Sequence, residues 1–148
     1  MRVIGYGKHC AWIAVVAVAA AVMPTGAFAL EDDLYEPPPL ALPCALTSDV
    51  VKSTLRESLL RRGWMAADSG GQDLQASLSR KIVVPKVAMV KANVAVTWDD
   101  RQVLLRYVGS EGMQYRKDGK FTTINTSYNK WLRNLEHDFG INLRKACG

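Results

Sequence analysis

The sequence predicts an α+β domain in which an antiparallel sheet of three to five strands carries an N-terminal and a C-terminal helix on one face. Three observations support this prediction. Apolar residues recur at helical spacing over residues 51–59 and again over 128–139. Residues 88–98 alternate between apolar and wetter positions, as a half-buried strand does. The acidic turn at 99–101 leads into a further apolar run at 103–108, so we expect antiparallel hairpins that two helices cover.

The first 29 of the 148 residues are organised like a secretory signal peptide. Arg2 and Lys8 precede an apolar run at 11–23, and the small-x-small sequence Ala-Phe-Ala follows at 27–29. The alternative is an uncleaved membrane anchor, but a spanning helix needs roughly 20 apolar residues and this run is shorter. We therefore expect cleavage after Ala29, a periplasmic or secreted location, and no transmembrane segment after cleavage.

The charge of the expected mature chain is unevenly distributed. Loss of Arg2 and Lys8 lowers the formal net charge from +5 to +3. Residues 30–45 hold four acids, four prolines and no base, whereas residues 46–148 hold 17 bases and 10 acids. Because prolines fix φ and lack an amide donor, we expect 30–45 to be an extended, acidic, proline-rich arm rather than a regular element. The triple proline at 37–39 is either a ligand for a grooved partner or a plain spacer.

Two cysteines follow the predicted cleavage point, Cys44 and Cys147. Outside the cytoplasm an even number of cysteines is read first as a disulfide. We predict a Cys44–Cys147 bond that closes almost the whole of the single α+β domain, residues 46–148, into one loop. Two free thiols, or a bond to another protein, are the alternatives.

The first helix is predicted to start at an N-cap, Thr47 or Ser48, and to run to about Arg62. Apolar residues at 51, 55 and 59 have four-residue spacing, and Gly63 stands where a left-handed C-cap is commonest. Capping and the helix dipole explain the arginines of the last turn without a ligand.

The middle of the chain predicts the strands. A short strand at 64–67 and a longer one at 73–80 flank a turn at 69–71. Residues 80–86 predict a bend or a strand edge, because Pro85 cannot donate to a ladder. The alternating strand 88–98 returns into 103–108, and a minor hairpin is expected around Asp118 and Gly119.

The last helix is predicted to begin near Asn125 or Thr126. Its apolar residues fall on one stripe, as in an amphipathic helix. Glycine is about 1 kcal/mol less favourable than alanine inside a helix, so Gly140 predicts a kink or an early stop. The stripe consists of Tyr128, Trp131, Leu132, Leu135 and Phe139.

Four segments carry a resemblance to a protein family. They are Arg62-Gly63-Trp64, Gln75-Ala76-Ser77-Leu78, Tyr107-Val108-Gly109-Ser110 and Tyr128-Asn129-Lys130-Trp131-Leu132-Arg133-Asn134-Leu135. In this order they resemble a group of small exported proteobacterial proteins, often lipoproteins, with an Arg-Gly-Trp helix end and a closing Tyr-Asn-x-Trp-Leu helix. The likeness spans roughly residues 46–143. This chain departs from it by lacking a lipidation cysteine at the cleavage point and by carrying the extra stretch 82–86. The resemblance implies a periplasmic location and the α+β plan, and it brings no catalytic residue.

The chemistry-bearing residues form no recognisable catalytic motif. After cleavage His137 is the single histidine, and no serine or cysteine is tied to it by a known pattern. Metal sites need His, Cys or carboxylate ligands at short spacings. The acid runs at 31–33 and 99–100 belong to the arm and to a turn. We therefore predict no catalytic residue, no metal site and no cofactor.

A band of basic residues crosses the predicted strands and later turns. Because the chain is expected to be exported, nucleic acid is a poor partner and we expect none. Another envelope protein or an anionic envelope surface is the expected partner, and solvated charges that protect strand edges are the alternative. The band consists of Arg80, Lys81, Lys86, Lys91, Arg101, Arg106, Arg116, Lys117 and Lys120.

The preferred hypothesis is a non-catalytic binding or interaction module of the bacterial envelope. Two helices can cover only one sheet face, so the other is free for a partner. The candidate partner-binding residues on it are Lys91, Asn93, Thr97 and Arg106. The alternative is a small envelope hydrolase, which a buried carboxylate with a strongly shifted pKa in an enclosed pocket would favour. A third hypothesis is a structural subunit whose open face dimerises.

Overall fold

The computed structural model describes residues 31–83 and 86–148 of the chain. The predicted signal peptide, residues 1–29, lies outside the described residues. In chain order the described elements are β1 (Glu31–Asp33), β2 (Leu40–Ala41), α1 (Ser48–Arg61), β3 (Met65–Gly70), β4 (Asp73–Val83), β5 (Val87–Trp98), β6 (Gln102–Glu111), β7 (Arg116–Asp118), β8 (Phe121–Asn125) and α2 (Thr126–Ala146).

The α+β prediction is confirmed, with the strands divided between two antiparallel sheets. The larger sheet has five strands in the order β2-β6-β5-β4-β3, and the smaller has three in the order β1-β8-β7. The hairpin expected around Asp118 and Gly119 is present as β7 and β8, with Asp118 opposite Phe121. It belongs to the smaller sheet because β1 of the arm pairs with β8.

One hydrophobic core joins the larger sheet to both helices. The alternation predicted for residues 88–98 is seen in β5, where Val90, Ala92, Val94, Val96 and Trp98 are buried while the residues between them are half-buried. The helices bury the stripes that their spacing predicts, except that Trp131 of the last helix is half-buried. These stripes are Val51, Leu55 and Leu59 of α1 and Tyr128, Leu132, Leu135, Phe139 and Leu143 of α2.

The helix ends form as the sequence predicts. Thr47 is the N-cap of α1, and its side chain accepts a hydrogen bond from the Val50 amide. After the C-cap, Gly63 adopts φ +81°, which a residue with a Cβ rarely tolerates, and directs the chain into the larger sheet. Asn125 is the N-cap of α2 and accepts from the Ser127 amide at 2.9 Å.

The arm was expected to lack regular elements, and this expectation is wrong. Its two ends form β1, which pairs with β8, and β2, which pairs with β6. The Leu34 and Leu42 amides extend these pairings, each donating to a backbone carbonyl at 2.7 Å. Three of the arm's prolines lie between the two strands and Pro43 follows β2, so the residues of both strands keep the amide donors that a ladder needs.

Two further local expectations need correction. Helix α2 continues through Gly140 to Ala146, because Phe139 and Leu143 on either side of it are buried in the core and hold the last turns in place. The expected bend at 80–86 is also displaced, since β4 stays paired with β5 as far as Val83 opposite Val87.

Cys44 and Cys147 form the predicted disulfide. Their Cα atoms lie 6.0 Å apart across a sequence separation of 103 residues, a distance normal for such bonds. Cys147 is the C-cap of α2. The bond therefore fastens the end of the arm, just before α1, to the end of the last helix.

Candidate binding surface

The candidate partner-binding residues lie on the face of the larger sheet opposite the core. We call this the open face; it carries the odd-numbered residues of β4 and β5. Lys91, Asn93 and Thr97 are half-buried there, alternating with the buried core residues of β5. Arg106 of β6 is exposed and pairs with Ala95, so it belongs to the same face. The four residues therefore share one surface.

The structure does not gather these four residues into one pocket. Lys91 and Thr97 are six positions apart on one strand, which corresponds to about 20 Å. The Nζ atom of Lys91 lies 3.8 Å from a carboxylate oxygen of Glu111 on the neighbouring strand. A guanidinium nitrogen of Arg106 donates to the carbonyl of Pro37 at 3.4 Å. Lys91 and Arg106 thus lie apart on this surface, and each already contacts another residue of the same chain.

Large apolar side chains are the most prominent feature of the open face. Five of the eight large hydrophobic residues that are exposed within the described ranges lie on it. Register places them there, because Met65 is opposite Ser77 and Met89 is opposite Lys81. They are Met65 (75% exposed), Val83 (70%), Val87 (67%), Met89 (61%) and Val108 (55%).

A β-bulge brings Val108 into this set. Asn93 pairs with Gly109, whereas the next residue, Val94, pairs with Tyr107, so Val108 is the extra residue of β6. A shallow groove of about 350 Å³ lies beside the bulge. Its lining includes Met65, Ser77, Asn93 and Val108. Of the four predicted partner-binding residues, Asn93 thus lines this groove.

Sequence reasoning missed most of this apolar set. The alternation of β5 already placed Met89 on the wetter face, together with Lys91. Met65 and Val83 could be assigned to that face only after the register of β3, β4 and β5 was known. Val108 depended on the bulge, for which the sequence carries no specific signal.

Acidic residues collect instead around the docked arm. A surface depression of about 620 Å³ is lined by the exposed residues Asp32, Asp33 and Glu36 together with Lys120 and Arg133. Arg133 also lies over the ring of Tyr35 at 4.0 Å, a cation–π contact. The Tyr35 hydroxyl donates to Glu136 at 2.5 Å, and this hydrogen bond raises the pKa of the tyrosine.

Two carboxyl groups within the described ranges have clearly shifted pKa values, and both are lowered. The backbone amides of Arg101 and Gln102 donate to Asp99 and lower its pKa. The guanidinium of Arg62 donates to the carboxylate of Asp138 and lowers the pKa of that group. Lowered values favour the charged form, whereas a general acid needs a raised value. His137 is 70% exposed, with Nδ1 3.6 Å from the Asp138 carboxylate.

The strongest pKa shift among the described residues belongs to a tyrosine of the core. Burial raises the pKa of Tyr128, whose side chain is fully buried and whose hydroxyl has no hydrogen-bond partner among the described residues. Its ring meets Tyr107 edge-on at 5.4 Å, and Tyr107 stacks on Tyr115 at 4.8 Å. Because Tyr128 is closed off from solvent, we assign it to packing.

Within residues 31–83 and 86–148, no group of three or more His, Cys, Asp or Glu side chains is arranged to hold a metal ion. Neither described helix is both long and apolar enough to cross a membrane. Comparison of the chain with protein-family models, with curated proteins and with solved structures finds no significant match.

Proposed function

We propose that this protein is a non-catalytic binding module of the bacterial envelope and that the open face of its five-stranded sheet contacts a partner protein. The observation that carries the proposal is the set of five exposed apolar side chains on that face, from Met65 to Val108. Single exposed apolar residues are normal on a protein surface, but a group of them on one sheet face is typical of an interaction site.

The charges of the face indicate the chemistry of the partner. Lys91 and Arg106 stand on it beside the apolar residues, and Lys81 pairs with Met89 across β4 and β5. A partner surface with an apolar centre and acidic residues at its edge would complement this arrangement. A second copy of the chain is less suitable, because a two-fold interface would bring these bases toward one another.

Export of the protein remains part of this proposal. A disulfide such as Cys44–Cys147 forms and persists in oxidising compartments and is rare in the cytosol. This supports a periplasmic or secreted location, as does the signal-like sequence of residues 1–29. The expected partner is consequently another envelope protein.

Capture of a partner from envelope extract tests the proposal. The unmodified protein should retain a specific envelope protein, which is then identified and purified. A Met89→Glu/Val108→Glu variant should lose at least about tenfold in affinity for that purified partner, because charges would enter an apolar contact. Replacing both Lys91 and Arg106 with glutamate should weaken binding as well.

Leu60 provides the matched control. It is an exposed apolar residue, 55% exposed, but it lies on α1 and not on the sheet. Leu60→Glu should leave the affinity within about twofold of the unmodified protein. Failure to capture any partner, or equal losses in Leu60→Glu and the open-face variants, would reject the proposal.

A further inference from the structure

A second surface feature lies on the helix-covered side of the larger sheet, away from the open face. It is a cleft of about 380 Å³ between the first half of α2 and the outer part of β4. Small-molecule sites in proteins begin at about 300 Å³, so a compact ligand would fill this cleft. The residues used below are Arg62, Trp64, Arg80, Lys130 and Trp131.

The cleft lining is basic and contains no acid. Arg62 is neutralised by Asp138, which accepts from its guanidinium at 2.6 and 2.9 Å. Arg80 donates one nitrogen to the carbonyl of Arg62 at 2.8 Å, which uses a neutral acceptor and leaves its charge uncompensated. Within the described ranges Lys130 lies in no ion pair, and α2 has no acidic residue in its first turn.

Two uncompensated cations at one cleft, Arg80 and Lys130, match a doubly charged anion better than a single carboxylate. A phosphate monoester carries a charge of about −1.5 to −2 near neutral pH. Guanidinium and ammonium groups both bind phosphate oxygens, the first as a planar fork and the second as a point charge. The hydrogen bond from Arg80 to the Arg62 carbonyl also restrains its side chain beside the cleft.

Two indole rings complete the lining. Trp64 is buried at 2% exposure, whereas Trp131 is half-buried and packs against the core from its edge. Indole offers a broad apolar surface with one polar edge, a surface on which the C–H face of a sugar ring can pack. Trp64 and Trp131 come from the two sequence segments, Arg-Gly-Trp and Tyr-Asn-x-Trp-Leu, that carry the family resemblance.

We infer that this cleft binds a phosphorylated sugar unit, with the phosphate held by Arg80 and Lys130 and the sugar ring against Trp131. This inference uses neither the open face nor the partner protein, so it stands or falls separately from the proposed function.

Calorimetric titration with glucose 6-phosphate, glucose and inorganic phosphate tests the inference on the purified protein. Glucose 6-phosphate should bind saturably and more tightly than inorganic phosphate, glucose should not bind, and added salt should weaken binding. An Arg80→Glu/Lys130→Glu variant should lose at least about tenfold in affinity. The matched control, Lys117→Glu/Lys145→Glu, has the same change in net charge outside the cleft and should bind normally.

A second measurement reports on the sugar. The indole N–H resonance of Trp131 should shift on addition of glucose 6-phosphate, while that of Trp98, which donates to Ser48 elsewhere, should stay unchanged. Equal affinity for glucose 6-phosphate and inorganic phosphate, no saturable binding of either, or equal losses in the cleft and control variants would each overturn the inference.

Phosphatidylcholine vesicles that carry a phosphorylated glycolipid distinguish the source of the sugar. Tighter binding to these vesicles than to glucose 6-phosphate would assign the ligand to a membrane, and the reverse would assign it to a soluble sugar phosphate. Either result supports the inference provided that the Arg80→Glu/Lys130→Glu variant loses this binding.

Discussion

The guanidinium of Arg62, at the C-cap of α1, makes two hydrogen bonds to the carboxylate of Asp138 on α2, at 2.6 and 2.9 Å. The two residues are 76 positions apart, and the pair joins the end of α1 to the middle of α2, which also meets α1 through a hydrogen bond from Asn142 to Ser58. Bidentate geometry makes this the best-formed ion pair that the described residues contain.

Asp138→Asn should lower the free energy of unfolding by about 1 kcal/mol near neutral pH, because it removes the charge that Arg62 contacts. Arg62 lowers the pKa of Asp138 below its ordinary 3.8. The stabilisation is therefore complete above that value and is lost as pH falls through the lower folded-state pKa. Denaturation followed by circular dichroism should show the two proteins converging in stability as the pH is lowered below that ordinary value.

The control for this variant is Glu57→Gln, which removes the exposed pair between Arg61 and Glu57. Surface pairs contribute little, so the change should be a few tenths of a kcal/mol. An Asp138→Asn protein as stable as the unmodified one at neutral pH would show that the Arg62 contact does not stabilise the helix pair.

Removal of the disulfide should be strongly destabilising. Replacing Cys44 and Cys147 with serine should cost about 2–4 kcal/mol, with about 4.7 kcal/mol as the chain-entropy limit for a loop near 100 residues. Guanidinium unfolding of the oxidised protein, the reduced protein and the double variant measures this. The reduced protein should match the variant. Two titratable thiols in the protein purified under non-reducing conditions would contradict the assignment.

The arm should depend on Asn129 for its position. This buried side chain donates to the Asp33 carbonyl at 2.6 Å and accepts from the Tyr35 amide at 2.9 Å. Asn129→Ala should cost about 2 kcal/mol, because two backbone groups lose their partner. Hydrogen exchange should then accelerate in β1 and β2. Asn134→Ala, on the same helix but without a side-chain hydrogen bond in the described part of the chain, should leave that exchange unchanged.

Two glycines should respond oppositely to alanine. A Cβ at Gly140 would meet its nearest atoms at 3.5 and 3.9 Å, which is ordinary contact, so Gly140→Ala should stabilise α2 by up to about 1 kcal/mol. At Gly112, φ is +69° and a Cβ would stand 3.2 Å from a methyl of Val90. Gly112→Ala should therefore destabilise the protein. Thermal unfolding of both variants measures the contrast, and a lower melting temperature for Gly140→Ala would contradict it.

Sequence patterns were sufficient where structure is decided locally. The caps at Thr47 and Asn125 and the alternation of β5 all follow from residues close together in the chain. The strands of the arm could not be predicted in the same way, because β1 finds its partner β8 about 90 positions later. Local propensity was also misleading at Gly140. The helix continues there because the tertiary burial of Phe139 and Leu143 outweighs the weak helix propensity of glycine.

The two proposed binding surfaces differ in how far they could be predicted from the sequence. Lys91, Asn93 and Thr97 share a face through simple alternation, so the open face could be predicted as a surface. Its apolar character came from register and from the bulge at Val108. The cleft could not be predicted, because its basic residues come from β4 and α2, which approach one another only in the folded domain.

Site-specific photo-crosslinking in intact cells of the producing organism tests the central claim, that the open face is the contact surface, most directly. A benzoylphenylalanine at position 89 replaces an exposed open-face residue, and one at position 60 replaces an exposed residue of α1. The account predicts a discrete crosslinked envelope protein from position 89 and none from position 60. A crosslink from position 60 alone, or none from either position, would contradict it.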